Sequence, residues 1–160
     1  MSTQPLSKAQ DVAVRVRLQE EPIDVVDQLR LGSSNDLGAL NVFIGQVRDH
    51  DPQAGAVPVV EIEFSSHPDA ERTLKKEVQS LVEEAWPKGP GLFEKPFVTV
   101  IHRSGLLEVG DVALLVVVGS AHREPGLTLV GEIVERVKET LPMWKKQELS
   151  DGTSKWSNLP

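Results

Sequence analysis

The sequence predicts an α+β or mixed α/β fold rather than a purely parallel sheet, and three observations carry that expectation. Stretches with the two-residue apolar period of strands alternate with stretches of helical period. Two neighbouring runs, KPFVTVIHRSG and DVALLVVVGSAH, are joined across LLEVG closely enough to form a hairpin. The run VALLVVVG at 112–119 is uninterrupted, which marks a buried strand and is far too short to span a bilayer.

Taken in order, residues 1–10 are polar and expected to be flexible. DVAVRVRLQ (11–19) alternates Val12, Val14, Val16 and Leu18 with Ala13, Arg15 and Arg17, the pattern of a half-buried strand. Pro22 suits the first turn of a short helix, PIDVVDQLRL, which GSSND ends with turn chemistry. GALNVFIGQVRDH reads as a strand with Arg48, Asp49 and His50 at its far end, and DPQAGAVP reads as a loop. VVEIEF (59–64) alternates again. Pro68 begins a helix with Leu74, Val78, Leu81, Val82 and Ala85 on one face, and WPKGPG (86–91) terminates it. After the hairpin, EPGLTLVGEIVERVKETL forms a last helix with an inner face of Val130, Ile133, Val134, Val137 and Leu141, which Pro142 stops.

A length of 160 residues suits a single domain spanning 1–160, large enough to bury most of its apolar surface. Without cysteine there is no disulfide framework, thiolate metal site or thiol nucleophile, and a reducing, cytoplasmic compartment fits. No signal peptide is expected, because residues 1–20 hold no apolar core of the needed length. Lys and Arg number 17 against 24 Asp and Glu, and the net charge of −7 argues against nonspecific binding to nucleic acid or to anionic membranes. The absence of tyrosine removes one of the aromatic platforms that single strands stack on.

Local cations stand out against that acidic background. Lys138 borders the inner stripe of the last helix, and Lys145 lies beyond Pro142, where a turn of chain can bring both amines toward one cavity. Amines held close repel, and one becomes a usable base or nucleophile. From sequence alone the commoner reading is that both are surface lysines, favoured by the negative end of the helix dipole. SAHREPG puts His122 and Arg123 between a strand and a helix, a place where anions bind in open sheets, although a structural histidine fits there too. Arg48 is a comparable strand-end cation, as are His102 and Arg103 in IHRSG.

Other motifs drop out. Gly119, Gly126 and Gly131 form no phosphate loop, the four histidines lack metal-ligand spacing, and GTS and GSS lack the nucleophile-elbow pattern, so no metal and no resident cofactor are expected. What remains is a set of cations on separate element ends, with Trp144 and Trp156 as apolar anchors in a C-terminal segment (141–160). That set suits a small polyanion.

FIGQVRDH, VTVIHRSGLLEVGD, VVVGSAHRE, VKETLPMWKK and DGTSKW, in this order from about residue 38 to 156, resemble the large, catalytic subunit of molybdopterin synthase. The resemblance implies an α/β hammerhead-type fold with an added small antiparallel β subdomain. It implies a homodimer of large subunits within a heterotetramer, each bearing a small ubiquitin-like sulfur-carrier subunit. The implied reaction places two sulfurs on cyclic pyranopterin monophosphate, a pterin phosphate, to form the dithiolene of molybdopterin. The donor is the C-terminal Gly-Gly thiocarboxylate of the small subunit. By motif, the substrate-binding residues would be Gln46, Val47 and Arg48 from GQVR, His122 and Arg123 from SAHR, and Lys145, Lys146 and Gln147 from PMWKKQ. Lys138 would sit nearest the reacting carbon as acid, base or transient covalent partner, with Lys145 beside it as the second catalytic amine. Relatives usually carry Lys or Arg at Gln46 and an acid at Gln147, and some have a longer tail. A noncatalytic adaptor gripping the tail of a ubiquitin-like protein with the same cations is the competing reading.

Overall fold

A computed structural model describes residues 13–87 and 95–157. The expected flexible start, Val12 and residues 88–91 of the helix-terminating stretch lie outside them.

The elements run β1 (Ala13–Gln19), α1 (Val25–Leu31), β2 (Ala39–Gln46), β3 (Val59–Ser66), α2 (Ala70–Ala85), β4 (Phe97–Arg103), β5 (Gly105–Glu108), β6 (Val112–Ser120), α3 (Arg123–Thr140), β7 (Met143–Leu149) and β8 (Ser154–Ser157). One four-stranded sheet has the order β1-β4-β6-β2, with only β1 and β4 parallel. The second, β5-β3-β7-β8, is antiparallel throughout and is the added small subdomain.

Strand β6 explains its own composition. Leu114, Val116 and Val118 point to α2 and α3, where they meet Leu74, Val78, Val82, Leu129, Ile133 and Val137. Leu115 and Val117 point the other way and join Ile101 under Ile23, Val25 and Leu29 of the α1 segment. A strand covered on both faces has no polar side to show, hence its unbroken apolar run. A single α2 face is buried, as its period requires, but Ala85 is exposed and Trp86 takes the last inward place. The first helix begins later than Pro22 suggests because the Asp24 carboxylate accepts from Asp27 N at 2.9 Å and caps it there.

Two segments differ from the expected elements. LLEVG is more than a connection between β4 and β6: most of it is β5, which leaves the first sheet and pairs with β3. The C-terminal segment forms two strands, β7 and β8. Strand β7 is held on both sides, with Ile62 opposite Gln147 and Trp156 opposite Lys146. Met143 and Leu149 anchor it, both 8% exposed, whereas Trp144 is half-buried and Trp156 is 46% exposed.

Candidate functional site

A cleft of about 170 Å³ opens where the end of β2 meets the face of β7. Its mouth forms because β2 does not end cleanly. Gly45 pairs with Leu114 but Gln46 pairs with Val112, so the register skips Ala113, and the strand bends there. Val47 then follows the β5–β6 turn, donating to Asp111 O at 2.9 Å and accepting from Gly110 N at 2.7 Å. Gly110 holds φ +94, which a residue with a Cβ rarely adopts. Asp49 O in turn accepts from Val59 N at 2.8 Å, so the backbone is pinned on either side of Arg48, and Asp51 follows two residues on.

Within this frame the strand period sorts the β7 side chains. Lys145 and Gln147 share the face that lines the cleft, alongside Gln46, Val47, Arg48, His50 and Asp51. Phe64 and Ile62 of β3 form its apolar wall. The Lys145 ammonium lies 3.6 Å from Asp51 Oδ2, and the same oxygen accepts from Gln147 Nε2 at 2.7 Å. The Arg48 guanidinium is exposed and has no ion-pair partner among the described residues, so it is available to an anion. Gln46 Nε2 donates to Gly110 O at 3.4 Å, a contact that steadies the adjacent turn.

Other residues singled out by sequence lie elsewhere. Lys146 projects from the opposite face of β7, 2.5 Å from Glu148, because neighbours on a strand cannot face one way. The hydrogen bond and charge of Glu148, with the charges of Glu63 and Glu61, hold its pKa above the ordinary lysine range. Lys138 extends from the last turn of α3, 63% exposed and 3.5 Å from Glu135, and does not line the cleft. His122 occupies the position before α3 without a side-chain capping bond, and Arg123 is the helix's first residue. They follow the end of β6 that pairs with Ala39, whereas Gln46 pairs at the other end, so seven strand steps of about 3.4 Å separate them from the cleft. That junction is tightly built: a Cβ on Gly126 would lie 2.1 Å from Asn41 Nδ2.

His102 and Arg103 serve structure. Arg103 is 7% exposed and donates to Glu20 O from Nε at 3.1 Å and to Asp111 Oδ2 at 3.2 Å, tying β1, β4 and the β5–β6 turn together. His102 stands edge-on beneath Phe64, centroids 5.1 Å apart, with Nδ1 donating to Arg103 O at 2.7 Å. Burial holds its pKa below the usual 6.5, against the upward pull of that carbonyl. The unfolded chain therefore binds the proton at higher pH than the native one, so this stability is present above 6.5 and lost as pH falls through the native value. The urea midpoint should drop between about pH 7.5 and about pH 5, and His102→Asn should flatten that drop. An unchanged slope in the variant would contradict the assignment.

The family model described as MoaE protein matches residues 18–140. A molybdopterin synthase catalytic subunit from Staphylococcus aureus (strain Mu50) is 33% identical over 138 residues, spanning 85% of this chain and 84% of that one.

The chain belongs to the MoaE family.

The crystal structure of molybdopterin synthase from Staphylococcus aureus superposes with a TM-score of 0.75 at 30% identity, over 89% of this chain and 96% of that one. At 19% identity and a TM-score of 0.65, a chain from the complex of subunits 1 and 2 of the molybdopterin-converting factor of Helicobacter pylori 26695 shares the fold, over 91% of this chain and 90% of that one. No helix among the described residues is long and apolar enough to cross a membrane. Sequence reasoning missed Asp51. It stands in a stretch that composition marks only as loop, and its partner Gln147 is 96 residues away.

Proposed function

We propose that this chain works as the catalytic subunit of molybdopterin synthase, an enzyme of molybdenum-cofactor biosynthesis that transfers sulfur to cyclic pyranopterin monophosphate. The observation that carries this reading is the cleft holding Lys145 beside an Arg48 that no acid among the described residues neutralises. The substrate brings a phosphate and the sulfur donor brings a thiocarboxylate, and two cations lining one cleft attract both. Arg48 takes the anionic group, Lys145 stabilises charge at the reacting carbonyl, and the Phe64 and Ile62 wall receives the planar ring. Lys138, whose exposed pair with Glu135 holds it only loosely, joins Lys145 as the second amine when the donor tail enters.

The donor is the C-terminal tail of a small ubiquitin-like subunit, the partner in a cytoplasmic heterotetramer. His122 and Arg123 serve the same substrate from a second large subunit, since their own cleft is a full strand length away. Gln46, Val47 and Gln147 shape the cleft, and Lys146, paired with Glu148 on the other face of β7, meets the substrate only if that pair opens.

The chain is to be mixed with thiocarboxylated small subunit and pyranopterin substrate, and dithiolene product followed. Turnover that requires the thiocarboxylate, and stops with the plain carboxylate tail, is expected. Tight binding of the small subunit without any product would instead establish the adaptor reading.

A further inference from the structure

Asp51 belongs to no motif of the sequence, yet it is the acid nearest the cleft amine. Its main chain is set by the short turn that follows, where Ala54 N donates to Asp51 O at 2.9 Å. Its side chain is 14% exposed. The carboxylate oxygen that accepts from Gln147 Nε2 at 2.7 Å is the one 3.6 Å from Lys145 Nζ. Gln147 is itself 2% exposed, and its Oε1 has no hydrogen-bond partner among the described residues. A buried acceptor left unmade is costly, so what this amide contributes to the site comes from its N–H. It keeps the Asp51 carboxylate turned toward β7.

We propose that Asp51 is a positioning residue for the sulfur-transfer reaction, holding the Lys145 ammonium at the cleft mouth through an ion pair that Gln147 fixes in place. The spacing suits that task. At 3.6 Å the charges attract, but the contact exceeds the length of an N–H···O hydrogen bond, so this pair does not take up an ammonium hydrogen. A lysine loses much rotamer freedom on being ordered, and an anchored carboxylate meets that cost before the substrate arrives. Without Gln147 the carboxylate could turn toward Arg48, which lines the same cleft, and cancel the charge meant for the substrate.

This inference rests on the proposed role of Lys145, and the test separates the two. Asp51→Asn, Gln147→Glu, the double exchange and Lys145→Ala are compared in the assembled enzyme with thiocarboxylated partner, with thermal midpoints measured alongside. Asp51→Asn should lose about tenfold to a hundredfold in kcat with a much smaller change in KM. Gln147→Glu alone sets two carboxylates face to face and should also be slow. The double exchange restores one acid and one amide across the same gap, with donor and acceptor reversed, and should recover most of kcat.

Parental kcat in Asp51→Asn, beside an inactive Lys145→Ala, overturns the inference while leaving the role of Lys145 intact. An active Lys145→Ala overturns the role of Lys145 itself. Recovery of the thermal midpoint but not of kcat in the double exchange reduces Asp51 to a packing residue and overturns the proposal as well. Where Asp51→Asn does not fold, the double exchange decides alone.

Discussion

Lys145→Ala should leave a folded protein that still binds its small partner and forms almost no dithiolene product, with kcat lower by about a hundredfold to ten-thousandfold. The expectation follows from where the side chain is anchored. Strand β7 is an inner strand of the second sheet, paired with β3 on one side and β8 on the other, so the amine rides on a braced backbone. Its loss leaves Gln147 still donating to Asp51, which keeps the cleft wall together. The thermal midpoint should therefore move little, because the side chain is a quarter exposed and its removal opens no core cavity. Lys145→Arg keeps the charge but replaces a compact ammonium by a broad planar fork, and it should recover only part of the rate. Lys146→Ala removes a cation already matched by Glu148 and should cost far less. Equal losses in the two lysine variants, measured in single-turnover assays, would contradict the cleft assignment.

Mixing two dead enzymes should revive activity. Lys145→Ala and Arg123→Ala chains, each inactive alone, are unfolded together and reassembled with partner. If Arg123 reaches the cleft of the neighbouring subunit, a mixed dimer contains one site with both residues intact and one with neither. Random pairing makes half the dimers mixed, so about one quarter of the parental sites return. If both residues served the same subunit's cleft, every site would carry one lesion and nothing would return. The strand-length separation along the β2–β6 ladder is what makes the first outcome the expected one. Product formation in the reassembled mixture, against each variant reassembled alone, reads the answer directly.

Apolar period made much of the first sheet legible. The alternation of Val14 and Val16, the unbroken β6 run and the stripe of α2 all reflect burial, and burial is what periodicity records. The second sheet was harder for the same reason. In β7 the inward positions between Met143 and Leu149 are Lys145 and Gln147, polar because they line the cleft, so the site erases the very pattern that would reveal its strand. LLEVG hid β5 because a four-residue strand is too short to show a period. The motif resemblance pointed to Arg48 and Lys145, which the fold brings together, and equally to His122 and Lys146, which it does not. Spacing along a chain says nothing of face until the element is known.

The opposed faces of β7 make the site a matter of parity. Lys145 and Lys146 carry the same group one residue apart, yet only odd positions from Met143 onward look into the cleft. One extra residue between Pro142 and Lys145 would exchange the two lysines and turn Gln147 away from Asp51 in the same stroke. A change of length after Leu149, in the turn leading to β8, would leave that alignment untouched. If Lys145 acts in the cleft as proposed, the count of residues before the lysine pair is constrained more tightly than the count after it.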